Sequence, residues 1–172
     1  MEKSKQTTGD IIFNNILENK KTLIIRDINT ISKIVKEKKN NLTVIQSNST
    51  VDILLSLEKF QDYEFDYIIL TLELTKLRAL KELIPALAKK GNVLFLTVKN
   101  KSMFIKNVLT KKEELLRIFE KNNIKILKSY YTKDNKIYKN SFTKLFAYYI
   151  TYIVYRDTNF SKRKSEIINI KK

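Results

Sequence analysis

One stretch, Glu64 to Tyr131, narrows the folds open to this chain more than any other. It runs EFDYIILTLEL, TKLRALKELIPALAKKG, NVLFLTVKNKSM, TKKEELLRIFEKNN and IKILKSYY, which reads strand, helix, strand, helix, strand. Two of the strand segments are nearly continuous apolar runs, as expected of strands covered by helices on both faces. The helical segments carry Leu77, Leu80, Leu83, Ile84 and Leu87, then Leu115, Leu116 and Phe119, at helical spacing. Strands and helices alternating at this length imply parallel strands joined by right-handed crossovers. The expected fold is a three-layer α/β sandwich with a mostly parallel sheet.

The 172 residues, 43% hydrophobic and 30% charged, suffice for one packed core. We expect a single domain over 1–172, with a leader and helix at 1–20 and a basic tail at 157–172. The chain has no cysteine and no histidine. Disulfides, thiolate nucleophiles, imidazole bases and the usual zinc ligands are therefore excluded, and no metal site is expected. No apolar run approaches the roughly 20 residues of a membrane span. The opening MEKSKQTTGD lacks the apolar core of a secretory signal, so no membrane association and a cytoplasmic location are the expectations. A formal net charge of +16 raises nucleic-acid binding, because clustered Lys and Arg displace counterions from phosphates. The lysines are spread along the whole chain, however, beside an enrichment in Asn and Ile that AT-rich coding imposes. A generic basic surface is the simpler account of the charge.

Ahead of the central run, Asp10 is placed to cap a helix over IIFNNILENKK. A first strand, Thr22 to Ile25, leads into Arg26-Asp27-Ile28-Asn29-Thr30 and a helix with Ile31, Ile34 and Val35 inward. A second strand, Leu42 to Gln46, ends in the polar turn Ser47-Asn48-Ser49-Thr50 before the helix VDILLSLEKFQ. Thr110 and Glu113 have capping-box spacing before Leu115. Pro85 should kink or delay the helix it falls in, and Gly91 fits a helix C-cap. After the polar stretch TKDNKIYKNSFTK, Leu145 to Tyr155 reads as a long strand pairing antiparallel with Tyr130 and Tyr131. Its aromatics suit sheet packing better than base stacking.

Four segments together resemble the class I S-adenosylmethionine-dependent methyltransferases, most closely the MetW-type proteins of methionine biosynthesis. VIQSNS, a helix and FDYIIL resemble a strand ending in a Gly-Asp pair followed by a strand beginning Phe-Asp. LKELIPALAKKGNVLFLTVKN, TKKEELLRIFEKNNIKILKSYY and KLFAYYITYIVYR resemble the later helices, the sixth strand and the closing antiparallel strand. The resemblance covers about residues 22–156 in order. It implies a Rossmann-like methyltransferase fold, with cofactor contacts around Arg26, Asp27, Asn29, Asn48, Thr71 and Glu73.

Departures fall on that cofactor site. Arg26, Ile28 and Thr30 stand where the resemblance calls for the glycines of the first turn, whose bare backbone the methionine moiety approaches. The spacing from Ile25 to Val44 is short by about one strand and helix, and with that unit goes an acid expected to hold the ribose hydroxyls. Ser47-Asn48 replaces the Gly-Asp pair at the adenine. The expectation is a degenerate methyltransferase-like protein, truncated by about one βα unit, holding no cofactor and serving as a binding or accessory subunit for a protein partner.

Two other functions stay open: an active methyltransferase using S-adenosylmethionine in an atypical pocket, and a basic RNA- or DNA-binding module. For the latter, Lys99, Asn100, Lys101 and Lys106 follow a central strand and could form an anion-binding rim. Asp66, Glu73 and Lys76 also resemble, loosely, a nuclease arrangement of two acids and a lysine.

Overall fold

Each apolar run becomes a strand of one sheet, and each stretch of helical periodicity packs against it. A computed structural model describes residues 7–26, 29–73, 77–99, 105–133, 136–138, 147 and 149–156. The strands are β1 (Lys21–Ile25), β2 (Asn41–Ile45), β3 (Phe65–Glu73), β4 (Gly91–Lys99), β5 (Ile124–Lys133), β6 (Lys136–Ile137) and β7 (Tyr149–Arg156). Their order is β2-β1-β3-β4-β7-β5-β6. The helices are α1 (Thr8–Asn15), α2 (Asn29–Glu37), α3 (Thr50–Glu58), α4 (Leu77–Lys90) and α5 (Ile105–Lys121).

β2, β1, β3 and β4 are mutually parallel, while β7 enters antiparallel between β4 and β5. Tyr130 and Tyr131 pair with Thr151 and Ile150, as the sequence predicts. The parallel sense of β5 is kept, yet β7, which follows it in the chain, separates it from β4.

Strand alternation divides the core into two faces. Leu23, Ile25, Ile68, Leu70, Leu94, Leu96 and Tyr152 meet α3, α4 and α5 on one side. Ile24, Tyr67, Ile69, Val93, Phe95 and Ile153 meet Ile12 and Ile16 of α1 and Ile31 and Val35 of α2 on the other. This is the expected three-layer sandwich.

Several local expectations are corrected. α1 is capped by Thr7, whose Oγ1 accepts from the Asp10 N–H, while Asp10 returns the bond to the Thr7 N–H; Asp10 is the third helical residue, not the cap. α5 starts at Ile105, so Thr110 and Glu113 lie inside it rather than at its start. α4 runs unbroken from Leu77 through Pro85 to Lys90; the missing proline N–H costs it a bond to the Lys81 carbonyl, without delaying its start. Gly91 is the first residue of β4 and no glycine has a positive φ, so it is not a left-handed cap. Its need is space: a Cβ there would lie 2.6 Å from Ile68 Cγ1 and 2.7 Å from Cδ1.

The shortened spacing also has a different meaning in three dimensions. β2 pairs with β1 over its full length, Lys21↔Asn41 through Ile25↔Ile45. The place beside β1 is thus filled. Against the doubly wound order, in which a third strand lies outside the second, the strand absent among the described residues is the outermost one.

Candidate cofactor cleft

In open α/β sheets ligands bind beyond the carboxyl ends of the strands, where the winding reverses direction. Here that point lies between β1 and β3. The chain leaves β1 toward α2 and β2 on one side, and returns through α3 to β3 on the other.

Arg26 sits at the mouth. It follows the last residue of β1, is half-buried, and donates its backbone N–H to the Ile45 carbonyl at 2.9 Å. Its φ is +61°, in the left-handed region where a Cβ costs roughly 1–2 kcal/mol. The turn has kept a conformation that favours glycine while carrying a long cation. This is the strongest departure in the cleft.

At the end of β2, Ile45 is buried and Gln46 exposed. Gln46 is the side chain that sequence reasoning missed: with β2 beside β1, a neutral amide follows the strand that the resemblance ends in an acid. Ser47 and Ser49 are committed to the start of α3. The Ser49 Oγ accepts from the Asp52 N–H at 3.3 Å, and the Ser47 Oγ accepts from the Ser49 N–H at 3.1 Å while donating to Asp52 Oδ2 at 3.3 Å. Asn48 stands exposed between them.

Thr71 is half-buried on β3 and opens a row of hydroxyls on the sheet face that also carries Tyr67 and Ile69. It lies beside Thr97, and Thr97 beside Thr151. Those two are 1% and 0% exposed, and their Oγ1 atoms are 3.1 Å apart. One step toward the rim, Glu73, Lys99 and Tyr149 are in register, and Lys99 Nζ stands 5.9 Å from the Tyr149 ring centroid. Periodicity could have found this row, since Thr71, Thr97 and Thr151 are polar positions in otherwise apolar strands.

Asp27, Lys76, Asn100 and Lys101 lie outside the described residues, as do the side chains of Asn29, Glu73 and Lys106. The nuclease arrangement is contradicted by geometry. Asp66 and Glu73 occupy opposite ends of β3, about 23 Å apart at a strand's rise per residue. Asp66 instead accepts from the Lys21 N–H at 3.0 Å, at the opposite end of the parallel strands from the cleft.

Among the described residues no group of histidine, cysteine or carboxylate side chains could hold a metal, and no helix is long and apolar enough to cross a membrane. A separate groove of about 540 Å³ runs between α4 and α5, lined by Lys81, Glu113, Glu114, Arg117 and Lys121 among others. The Lys81–Glu114 ion pair there, 2.6 Å long, is open to solvent and contributes little.

The cleft therefore offers hydroxyls, amides and two described cations, Arg26 and Lys99. S-adenosylmethionine carries a sulfonium, an ammonium and a carboxylate; its approach to the turn needs bare backbone, and its ribose hydroxyls are best met by a carboxylate. The described residues do not fit it: a guanidinium-bearing side chain occupies the left-handed turn, and Gln46 and Asn48 present uncharged amides.

No protein-family model matches the chain, and no curated protein matches it in sequence. Solved structures do match in fold. A Streptococcus mutans protein assigned as an S-adenosylmethionine-dependent methyltransferase superposes with a TM-score of 0.58 at 11% identity, over 85% of this chain and 47% of that one. An S-adenosylmethionine-dependent methyltransferase from Archaeoglobus fulgidus gives 0.55 at 13%, over 79% and 86%. The Bacillus subtilis m1A22 tRNA methyltransferase TrmK gives 0.54 at 11%, over 93% and 70%. This chain spans about half the length of the Streptococcus mutans structure. With its mostly parallel sheet, its antiparallel β7 and these neighbours, the chain has the Rossmann-like fold of the class I S-adenosylmethionine-dependent methyltransferases.

Proposed function

We propose that this is a methyltransferase-fold protein that does not hold S-adenosylmethionine at working concentrations and acts as a non-catalytic binding or accessory subunit. The observation carrying this reading is Arg26, a bulky cation held at φ +61° where the fold's cofactor turn needs bare backbone. Replacing a charge-assisted ribose contact by an amide costs about 1.5–3 kcal/mol. Accommodating the arginine side chain adds to that, and a total near 4 kcal/mol shifts a micromolar Kd to about millimolar. Gln46 supports the same conclusion, since it offers no carboxylate at the end of β2. The test is titration calorimetry of the purified protein with S-adenosylhomocysteine. No saturable heat below about 1 mM is expected; a Kd near 1 µM would restore the enzyme reading.

The likeness to MetW-type segments makes an enzyme of methionine biosynthesis the partner to look for, and affinity capture lacking every such enzyme would remove that candidate. A second reading is RNA binding. It is favoured by the +16 charge and by the tRNA substrate of the Bacillus subtilis neighbour. Retention on RNA that falls steeply with salt would support it, and a flat response would discard it.

A further inference from the structure

The two edges of the sheet are treated differently. Beyond β7, the edge carries Lys125, Lys128 and Lys133 on β5, a register shift between Ile126 and Lys128, and the short β6. Lysines, irregularities and very short strands are the usual devices that keep an edge from pairing with another chain. β2, at the other edge, has none of them. Its sequence NLTVI holds no charge, no proline and no bulge.

The basic charge of the chain also avoids this region. Between Lys39 and Lys59 there is no lysine or arginine, in a chain that contains 34. Val44 on β2 is 38% exposed, and Val51 and Leu55, one turn apart on α3, are 62% and 54% exposed. Segment 40–58 itself therefore offers no cation to a phosphate backbone, although Lys38, Lys39 and Arg26 border β2 at its two ends. Two copies of a protein of charge +16 repel each other, so a strand and helix that carry no lysine or arginine of their own are where they can meet.

The backbone fixes how. The Asn41 N–H donates to the Lys20 carbonyl, and the Ile45 carbonyl accepts from Arg26, so Asn41, Thr43 and Ile45 spend their backbone groups on β1. The alternate residues Leu42, Val44 and Gln46 point theirs outward. That spacing is self-complementary about Val44.

We propose that the β2 edge is a homodimer interface, in which two copies pair their β2 strands antiparallel around a twofold axis at Val44. Val44 faces Val44 of the second copy, and Leu42 faces Gln46 of the second copy, each as a doubly hydrogen-bonded pair. Such an isologous contact closes on itself and cannot propagate into a fibre. It also fills the position of the absent outermost strand with the same strand from another molecule. The proposal is independent of whether the cleft binds a cofactor.

Sedimentation velocity on the full chain tests it, at micromolar protein in 0.05 and 0.5 M NaCl. A dimer that tightens with salt is expected, because screening relieves repulsion between the two +16 bodies. Val44→Lys should weaken it at least tenfold. Val44→Pro should do the same, since the lost N–H points away from β1 and folding, followed by circular dichroism, is unchanged. The register is tested with the sole thiol of Val44→Cys. Hydrogen-bonded antiparallel partners lie about 5.5 Å apart between Cα atoms, within disulfide range, so oxidation should give a covalent dimer where Val51→Cys does not. A monomer at 100 µM in 0.5 M NaCl, or a dimer indifferent to Val44→Lys, overturns the proposal.

Discussion

The left-handed turn at Arg26 can be tested by comparing two substitutions at that one position. Arg26→Ala and Arg26→Gly remove the same guanidinium and differ only in the Cβ. At an ordinary strand end, glycine is less stable than alanine by about 0.4–1 kcal/mol, because the unfolded glycine chain has more freedom to lose. At φ +61° the Cβ carries a penalty of roughly 1–2 kcal/mol that glycine escapes. The difference leaves Arg26→Gly more stable than Arg26→Ala by about 0.5–1 kcal/mol, the reverse of the ordinary order. Urea unfolding resolves this as a higher midpoint at unchanged slope, since neither variant alters the surface exposed on unfolding. If Arg26→Ala proves equal to or more stable than Arg26→Gly, the turn is not left-handed in solution. Arg26 then does not hold a glycine's conformation under its side chain.

Gly91→Ala should destabilise by about 1–2 kcal/mol, because the new Cβ pushes on Ile68 in a fully buried layer. Thermal unfolding should show the loss, and adding Ile68→Val, which removes Cδ1, should recover part of it. Thr97→Val leaves the buried Thr151 hydroxyl without its partner and should cost about 1–3 kcal/mol, whereas Thr97→Val with Thr151→Val together should cost less than either alone, measured by urea unfolding. Tyr67 accepts from the Leu17 N–H at 2.9 Å, and burial pushes its phenol up to about 12; burial also raises Tyr152. Both groups favour the protonated folded state. Their contribution to stability is therefore complete below pH about 10 and lost at higher pH, for Tyr67 as pH rises through about 12. A spectrophotometric tyrosine titration should show some of the nine phenols ionising only together with unfolding.

The layers and strand directions of this fold were legible because they rest on apolar periodicity, which survives in Tyr67 to Leu70 and Val93 to Val98 with hardly an interruption. What lay beyond the sequence was adjacency. Nothing in IKILKSYY says that β7 will insert between it and β4, and nothing in NLTVI says that it takes the place beside β1. That placement is what turned a missing acid-bearing strand into one that is present as β2 and followed by Gln46, the missing strand being the outer one. Local signals misled where two patterns overlapped: Thr110-x-x-Glu113 has capping-box spacing but lies within a helix already begun at Ile105. Gly91 resembled a cap, yet it is needed because Ile68 leaves no room for a Cβ. At the cleft, the sequence supplied Arg26 as an intruder, while its positive φ could come only from the backbone.

The central claim, that this fold no longer receives its cofactor, is met most directly by amide chemical shifts during a titration with S-adenosylmethionine. The account predicts no saturating change at Arg26, Gln46, Asn48 or Thr71 up to about 1 mM ligand. Coherent shifts at those four amides with a micromolar midpoint would contradict it.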